Sequence, residues 1–212
     1  MLRPIVLDPL EWLLTRSYYI ARLPQLNFFR DYEATKIAPY YCNYNGDLRD
    51  YKWGDVTIVM PPANNRPHNY DLIIAVEGYS VALLRQWGLE PDIVVTDFDF
   101  MPEEVVNGDF LVLGHAHGDN IDKYKTWAGK VRKLLPTVQT WPVGCSLLVP
   151  GFTDGDRAVY LAYYMGARRI DIYGFNPTKP IKRNDYVKRV KLEIAEYFIS
   201  RISRRVRVNF YP

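Results

Sequence analysis

Two aspartates separated by a single residue, Asp97 and Asp99, follow the apolar run Ile93–Thr96. In extended backbone, residues two apart face the same side, so both carboxylates would share one space. Paired acids repel, and each resists ionising beside the other. A divalent cation relieves that repulsion. Magnesium suits the pair, because it takes one or two carboxylates together with substrate phosphates and keeps several waters. Taken alone, Asp97 and Asp99 could equally be turn residues before a helix near Glu103. Asp154 and Asp156, after another apolar run, tip the balance toward a metal site for phosphoryl transfer.

The segment Gly151-Phe-Thr-Asp-Gly-Asp-Arg157 reads as the start of a helix. Thr153 or Asp154 can cap it, and Gly155 lets the backbone turn tightly. Backbone N–H groups at such a start attract anions, and Arg157 adds a charged donor. A bland alternative is a capped helix start with no ligand. His115-Ala-His117-Gly-Asp119 admits a different chemistry, since H-x-H-x-D also opens some binuclear zinc sites. Those sites need about five imidazoles, and this chain has only three histidines, the third being His68. Asn120 also stands where a further ligand would be wanted.

Several classes are excluded. There is no G-x-x-x-x-G-K-[ST], no G-x-G-x-x-G and no G-x-S-x-G, so the P-loop, dinucleotide and serine-hydrolase readings lack support. The two cysteines, Cys42 and Cys145, form no C-x-x-C pair, which removes a zinc ribbon and favours the cytoplasm. No apolar run reaches the roughly 18 residues of a membrane helix. With 212 residues, 48% hydrophobic and 24% charged, the chain can bury a core without a metal or disulfide. Net charge is +3, but ten Lys/Arg against three acids from Lys179 onward give a local +7, leaving −4 elsewhere. Nucleic acid is disfavoured, since neither a helix-turn-helix nor an aromatic-studded sheet is legible. A homodimer is compatible with the sequence.

These side chains need elements to hold them. Near-continuous apolar runs at Val56–Met60, Leu72–Val76, Ile93–Thr96, Phe110–Leu113, Thr137–Trp141 and Ile170–Tyr173 read as buried parallel strands. Helices fit between them at Ser80–Trp87, Asp119–Leu135 and Asp156–Met165. A longer one carries Val187, Val190, Ile194, Tyr197, Phe198 and Ile202 on one face, before a strand near Val206–Phe210. The expected fold is α/β and doubly wound, with a mostly parallel sheet and helices on both faces. Residues 1–55 form a small helical lead-in, with Asp8-Pro9 opening a helix and Leu23–Ala34 a second, and residues 56–212 the α/β catalytic domain. Ligands in such sheets bind beyond the carboxyl ends of the strands. Those ends here carry Glu77-Gly78, Asp97-Phe98-Asp99, His115 to Asn120, Gly151 to Arg157 and Gly174-Phe175-Asn176.

In that order, Val95-Thr-Asp-Phe-Asp99, His115-Ala-His-Gly-Asp-Asn120 and Gly151-Phe-Thr-Asp-Gly-Asp-Arg-Ala158 resemble the archaeal 6-hydroxymethyl-7,8-dihydropterin pyrophosphokinase family. The resemblance covers about residues 56 to 200. It implies a fold similar to the catalytic domain of thiamin pyrophosphokinases, with ATP and Mg2+. It also implies transfer of the β,γ-diphosphate to a pterin hydroxymethyl with release of AMP. Under it, Asp97, Asp99 and Asp154 are metal-site and catalytic candidates, Asp156 is a further metal candidate, His117 a further catalytic one, and Asp119 lies nearby. His115 and His117 become phosphate or substrate contacts, beside Gly151, Thr153, Gly155, Arg157, Asp119 and Asn120 on the nucleotide side. Glu77 and Asn176 fall on the pterin side. The chain departs from the family pattern at Val76-Glu77-Gly78-Tyr79, where Ala-Asp-Gly-Ala is usual, at Phe100, where Gly is usual, and at Asn176, where Asp is usual. A thiamin pyrophosphokinase-like or glycosyltransferase-like nucleotide enzyme on the same fold is the alternative.

Overall fold

The apolar runs become strands because both of their faces are covered. In β2 (Leu72–Val76), Leu72, Ile74 and Val76 enter one hydrophobic cluster, while Ile73 and Ala75 enter a second on the opposite face. The computed structural model describes residues 9–20, 22–23, 26–176 and 186–212. Asp8 and the basic stretch 179–185 lie outside these. Eight strands form one sheet in the order β6-β5-β4-β3-β2-β1-β7-β8, and every neighbouring pair is parallel. The others are β1 (Asp55–Val59), β3 (Ile93–Thr96), β4 (Leu111–Ala116), β5 (Leu134–Val138), β6 (Leu147–Leu148), β7 (Arg169–Tyr173) and β8 (Arg207–Tyr211).

Helices cover both faces. On one side lie α3 (Glu77–Gln86), α4 (Glu103–Val106) and α5 (Ile121–Ala128), joined by α2 (Phe28–Ile37). On the other lie α1 (Pro9–Ile20), α6 (Asp154–Tyr164) and α7 (Tyr186–Ser203). Trp12 of α1 is fully buried, donates its indole N–H to the Gln139 carbonyl at 2.9 Å and packs edge-on against Phe152. The α/β architecture therefore matches the expectation, with an entirely parallel sheet.

Several boundaries differ: α3 begins at Glu77 rather than Ser80, and β4 runs to Ala116 rather than Leu113, which puts His115 inside the strand. The second lead-in helix begins at Phe28, capped by the Asn27 side chain, rather than at Leu23. The helix expected to run to Leu135 ends at Ala128, and β5 takes Leu134–Val138 instead of Thr137–Trp141. Pro136 sits inside β5, opposite Gly114 of β4. The two cysteines are paired: Cys42 and Cys145, with Cα atoms 6.7 Å apart, tie the segment after α2 to the β5–β6 loop. Among the described residues no helix is long and apolar enough to cross a membrane.

The topology sets up the site. The chain lays down β1 to β6 outward in one direction and then returns along α6 to place β7 on the other side of β1. Along that return α6 contacts β1, β2 and β3. Its N-terminus, carrying the Gly151–Arg157 motif, is thereby brought beside the ends of β2 and β3.

Candidate active site

Three carboxylates converge there. One oxygen from each of Glu77, Asp97 and Asp154 lies within 4.8 Å of the other two. Glu77 opens α3 directly from β2 with φ of +60°, a left-handed conformation that non-glycine residues rarely adopt. Phe98 is likewise at φ +66°, anchored by a buried ring that meets Tyr124 edge-on. Such outliers concentrate at functional sites. Asp154 is buried at the first turn of α6 and accepts the Asp97 backbone N–H at 3.1 Å. Burial, then the neighbouring Asp97 and Glu77 carboxylates, pushes the Asp154 carboxyl well above its ordinary range. This set fits a hard divalent cation. Oxygens about 2.1 Å from one ion stand at most about 4.2 Å apart, so only a small closure would be required.

Asp99 does not join the three. The turn at Phe98 breaks the extended geometry that would have put both aspartates on one side, and Asp99 instead accepts from Lys123 Nζ at 2.6 Å. Both residues still line one cavity of about 570 Å3. Its opposite wall comes from α7, which contributes Val187, Lys188 and Lys191. Sequence reasoning misses Lys123, Lys188 and Lys191. For Lys188 and Lys191 the signal is the basic excess at the C-terminus, which finds its place through the packing of α7 on α6.

The other motif residues are held largely by protein contacts, although Thr153 also lines the cavity. Asp156 is fully buried, and its carboxylate accepts the N–H groups of Phe152, Thr153 and Arg157 at 2.7–3.1 Å, plus the Thr153 hydroxyl at 2.9 Å. With Thr153 as N-cap this is a capping box, so the anion expected at the helix start is the protein's own Asp156. Asp156 is therefore placed in the cap and not with the metal candidates. Arg157, expected on phosphate, is buried and donates to the carbonyls of Gly151 and Thr153 at 3.0 Å and to His115 Nε2 at 2.9 Å. Gly155 turns nothing; a Cβ there would come within 3.0 Å of Met60 Sδ, so its smallness lets α6 approach the end of β1.

His115 spends both ring nitrogens, Nε2 on Arg157 and Nδ1 on the Thr137 hydroxyl at 3.1 Å. Burial and the adjacent guanidinium hold it well below its ordinary pKa, hence neutral. A guanidinium where a zinc ion would sit argues against the binuclear hydrolase reading. His117 differs, because its Nδ1 accepts the Asp119 N–H at 3.3 Å, which puts the ring proton on Nε2. Burial, then Lys191, lowers its pKa to about 3. It lines a narrow recess with His115, Arg157, Asp97, Asp154 and Lys191, where its Nε2–H can donate a hydrogen bond but the ring takes up no proton at neutral pH. Asn120 ties strand ends together: its amide donates to the carbonyls of Asp97 and His115, both at 2.7 Å, and accepts the His117 N–H. Gly118 donates to buried Asp31, itself paired with buried Arg16, so the lead-in helices brace this loop. Asp119 is exposed, and Asn176, beyond β7, is not among the residues lining the cavity.

No protein-family model matches the chain. Three archaeal proteins named 6-hydroxymethyl-7,8-dihydropterin pyrophosphokinase do. The protein of Methanothermobacter thermautotrophicus is 35% identical over 147 residues, 62% of this chain and 63% of the relative. That of Pyrococcus furiosus is 41% identical over 105 residues, 49% and 45% of the two chains. That of Methanocaldococcus jannaschii is 30% identical over 159 residues, 65% of each. The match thus spans less than two thirds of the length of each of these curated relatives. By sequence the chain is a relative of the archaeal 6-hydroxymethyl-7,8-dihydropterin pyrophosphokinases, as its strand-end motifs imply.

Proposed function

We propose that the chain is an ATP-dependent diphosphotransferase that moves the β,γ-diphosphate of ATP to the hydroxymethyl of 6-hydroxymethyl-7,8-dihydropterin and releases AMP. One observation carries the reading: three carboxylates within 4.8 Å of one another share a cavity with Lys123, Lys188 and Lys191. A triphosphate is the kind of ligand that needs both signs at once, a cation bridged by acids and ammonium groups for the remaining oxygens. The names of the three relatives supply the acceptor.

In this proposal Glu77, Asp97 and Asp154 hold Mg2+. When bound, the ion would neutralise charge on the transferring diphosphate. Lys188 and Lys191 bind phosphate oxygens from the opposite wall, and neutral His117 donates from Nε2. Asp99 stays paired with Lys123 and orients it toward the same cavity. The acceptor hydroxyl oxygen attacks the β-phosphorus and gives up its proton to solvent, the bond from that phosphorus to the α,β-bridging oxygen breaks, and AMP leaves with that oxygen. Residues 56–212 are the catalytic unit and 1–55 the lead-in that braces the His117–Asn120 loop. A cytoplasmic location belongs to this reading, since ATP is the co-substrate.

Product analysis tests the proposal. Incubation with ATP, Mg2+ and 6-hydroxymethyl-7,8-dihydropterin should give AMP and diphosphorylated pterin in equal amounts. Formation of ADP, or transfer to thiamin or from a nucleotide sugar but not to the pterin, would contradict it.

A further inference from the structure

At the rim of the acidic cavity two aromatic rings lie face to face. Tyr79 and Phe100 have ring centroids 3.8 Å apart and planes 6° from parallel. Tyr79 remains 45% exposed, although a ring of that size can be buried cheaply in a protein with a large apolar core. The pairing is built in by the backbone. A Cβ on Gly78 would fall 2.3 Å from Pro102 Cδ and 2.6 Å from the Phe100 carbonyl, so only glycine lets the segment after β3 cross the start of α3 and lay Phe100 on Tyr79.

We propose that Tyr79 and Phe100 form a stacking shelf for the flat heterocycle of the acceptor, and thereby set acceptor specificity. The proposal rests on the diphosphotransferase reading above. Two flat molecules would enter this cavity, the acceptor ring and the adenine of ATP. Tyr79 is two residues from Glu77, and both rings line the same cavity as Glu77, Asp97 and Asp154, so the shelf stands beside the acids that would hold the cation on the transferring phosphates. The acceptor ring is joined to its attacking oxygen by one methylene, which fixes the ring close to those phosphates. Adenine is held off from the β-phosphorus by a ribose and the α-phosphate. The shelf is in reach of the first and too close for the second. Stacking is the appropriate contact, because it recognises a π-face wherever ring hydrogen bonds point.

The test is a binding titration with 6-hydroxymethylpterin, followed by its fluorescence, in the presence of Mg2+ and α,β-methylene ATP. Tyr79→Ala and Phe100→Ala should each weaken the pterin about tenfold while leaving the nucleotide analogue within twofold, and Tyr79→Phe should stay near wild type. Circular dichroism checks that each variant is folded; Phe100→Leu, which keeps bulk without a ring, serves if Phe100→Ala is not. Unchanged pterin affinity in Tyr79→Ala, or equal weakening of the nucleotide, overturns the shelf even if the wild type transfers diphosphate normally. A wild type that binds pterin through these rings but makes no AMP leaves the shelf standing and sinks the diphosphotransferase reading instead. A wild type that does not bind the pterin overturns the shelf.

Discussion

Asp154 and Asp156 are two residues apart in one motif, both buried, and burial pushes both carboxyls upward. Their surroundings then diverge. Around Asp156, Arg157 and the N–H groups of Phe152 and Thr153 draw the carboxyl back down. Around Asp154, the carboxylates of Asp97 and Glu77 push it further up, against Arg157 at 3.5 Å. One aspartate is a finished piece of scaffold, and the other is an unsettled charge that a cation would stabilise. The same division separates Asn120, whose side-chain amide bonds backbone groups at three points, from Lys188 and Lys191, which line the cavity. A motif string therefore mixes residues that act with residues that hold them in place.

The comparison breaks most readily at Asp97. Asp97→Asn keeps the shape and removes one charge facing the triphosphate, and it should lower kcat by about 100-fold or more. The fold should not suffer, because the change removes repulsion within the cluster; thermal unfolding without metal should give an equal or higher Tm. Near-normal turnover would move Asp97 to the scaffold side. Asp156→Ala is the converse. It leaves buried N–H donors of Phe152 and Thr153 without an acceptor and deletes a cap, at a cost of about 2–4 kcal/mol. A domain of this size should then lose roughly 5–15 °C in Tm, with kcat well below that temperature falling less than in Asp97→Asn. Arg157→Ala should behave the same way and not as a loss of nucleotide affinity alone. The mildest change sharpens the other wall: Lys191→Ala should raise KM for ATP about tenfold and leave the acceptor KM near its starting value. Steady-state kinetics with each substrate varied separately reads this out.

Much of this was legible in the sequence, and the failures have physical reasons. The runs at Leu72–Val76 and Ile93–Thr96 are strands from end to end, because every residue is buried and polar or glycine residues bound them. The register around Pro136 was missed because proline removes a ladder donor and usually argues against a strand interior; Thr137 and Val138 pair with the two-residue β6 nevertheless. Strand-end positions point to the edge where Glu77, Asp97 and Asp154 converge, but not to the partition within it. Asp99 was grouped with Asp97 on the assumption of extended backbone, which the left-handed Phe98 violates. Glu77 was read as a substrate contact, since nothing local shows that a strand end and a returning helix will bring it to Asp154. Lys188 and Lys191, three apart on α7, stand on the cavity side through tertiary packing alone.

Glu77 is the residue that the structure brings to Asp97 and Asp154, so cation binding at Glu77 tests the account most directly. Manganese, a spectroscopic substitute for magnesium, can be titrated into the protein with ATP present and followed by electron paramagnetic resonance. Glu77→Gln and Asp154→Asn should each weaken the ion about tenfold or more, while Asp99→Asn and Asp156→Asn leave its affinity within about threefold. If Glu77→Gln binds manganese as tightly as wild type while Asp99→Asn does not, the cation belongs to Asp97 and Asp99, and the three-carboxylate site is wrong.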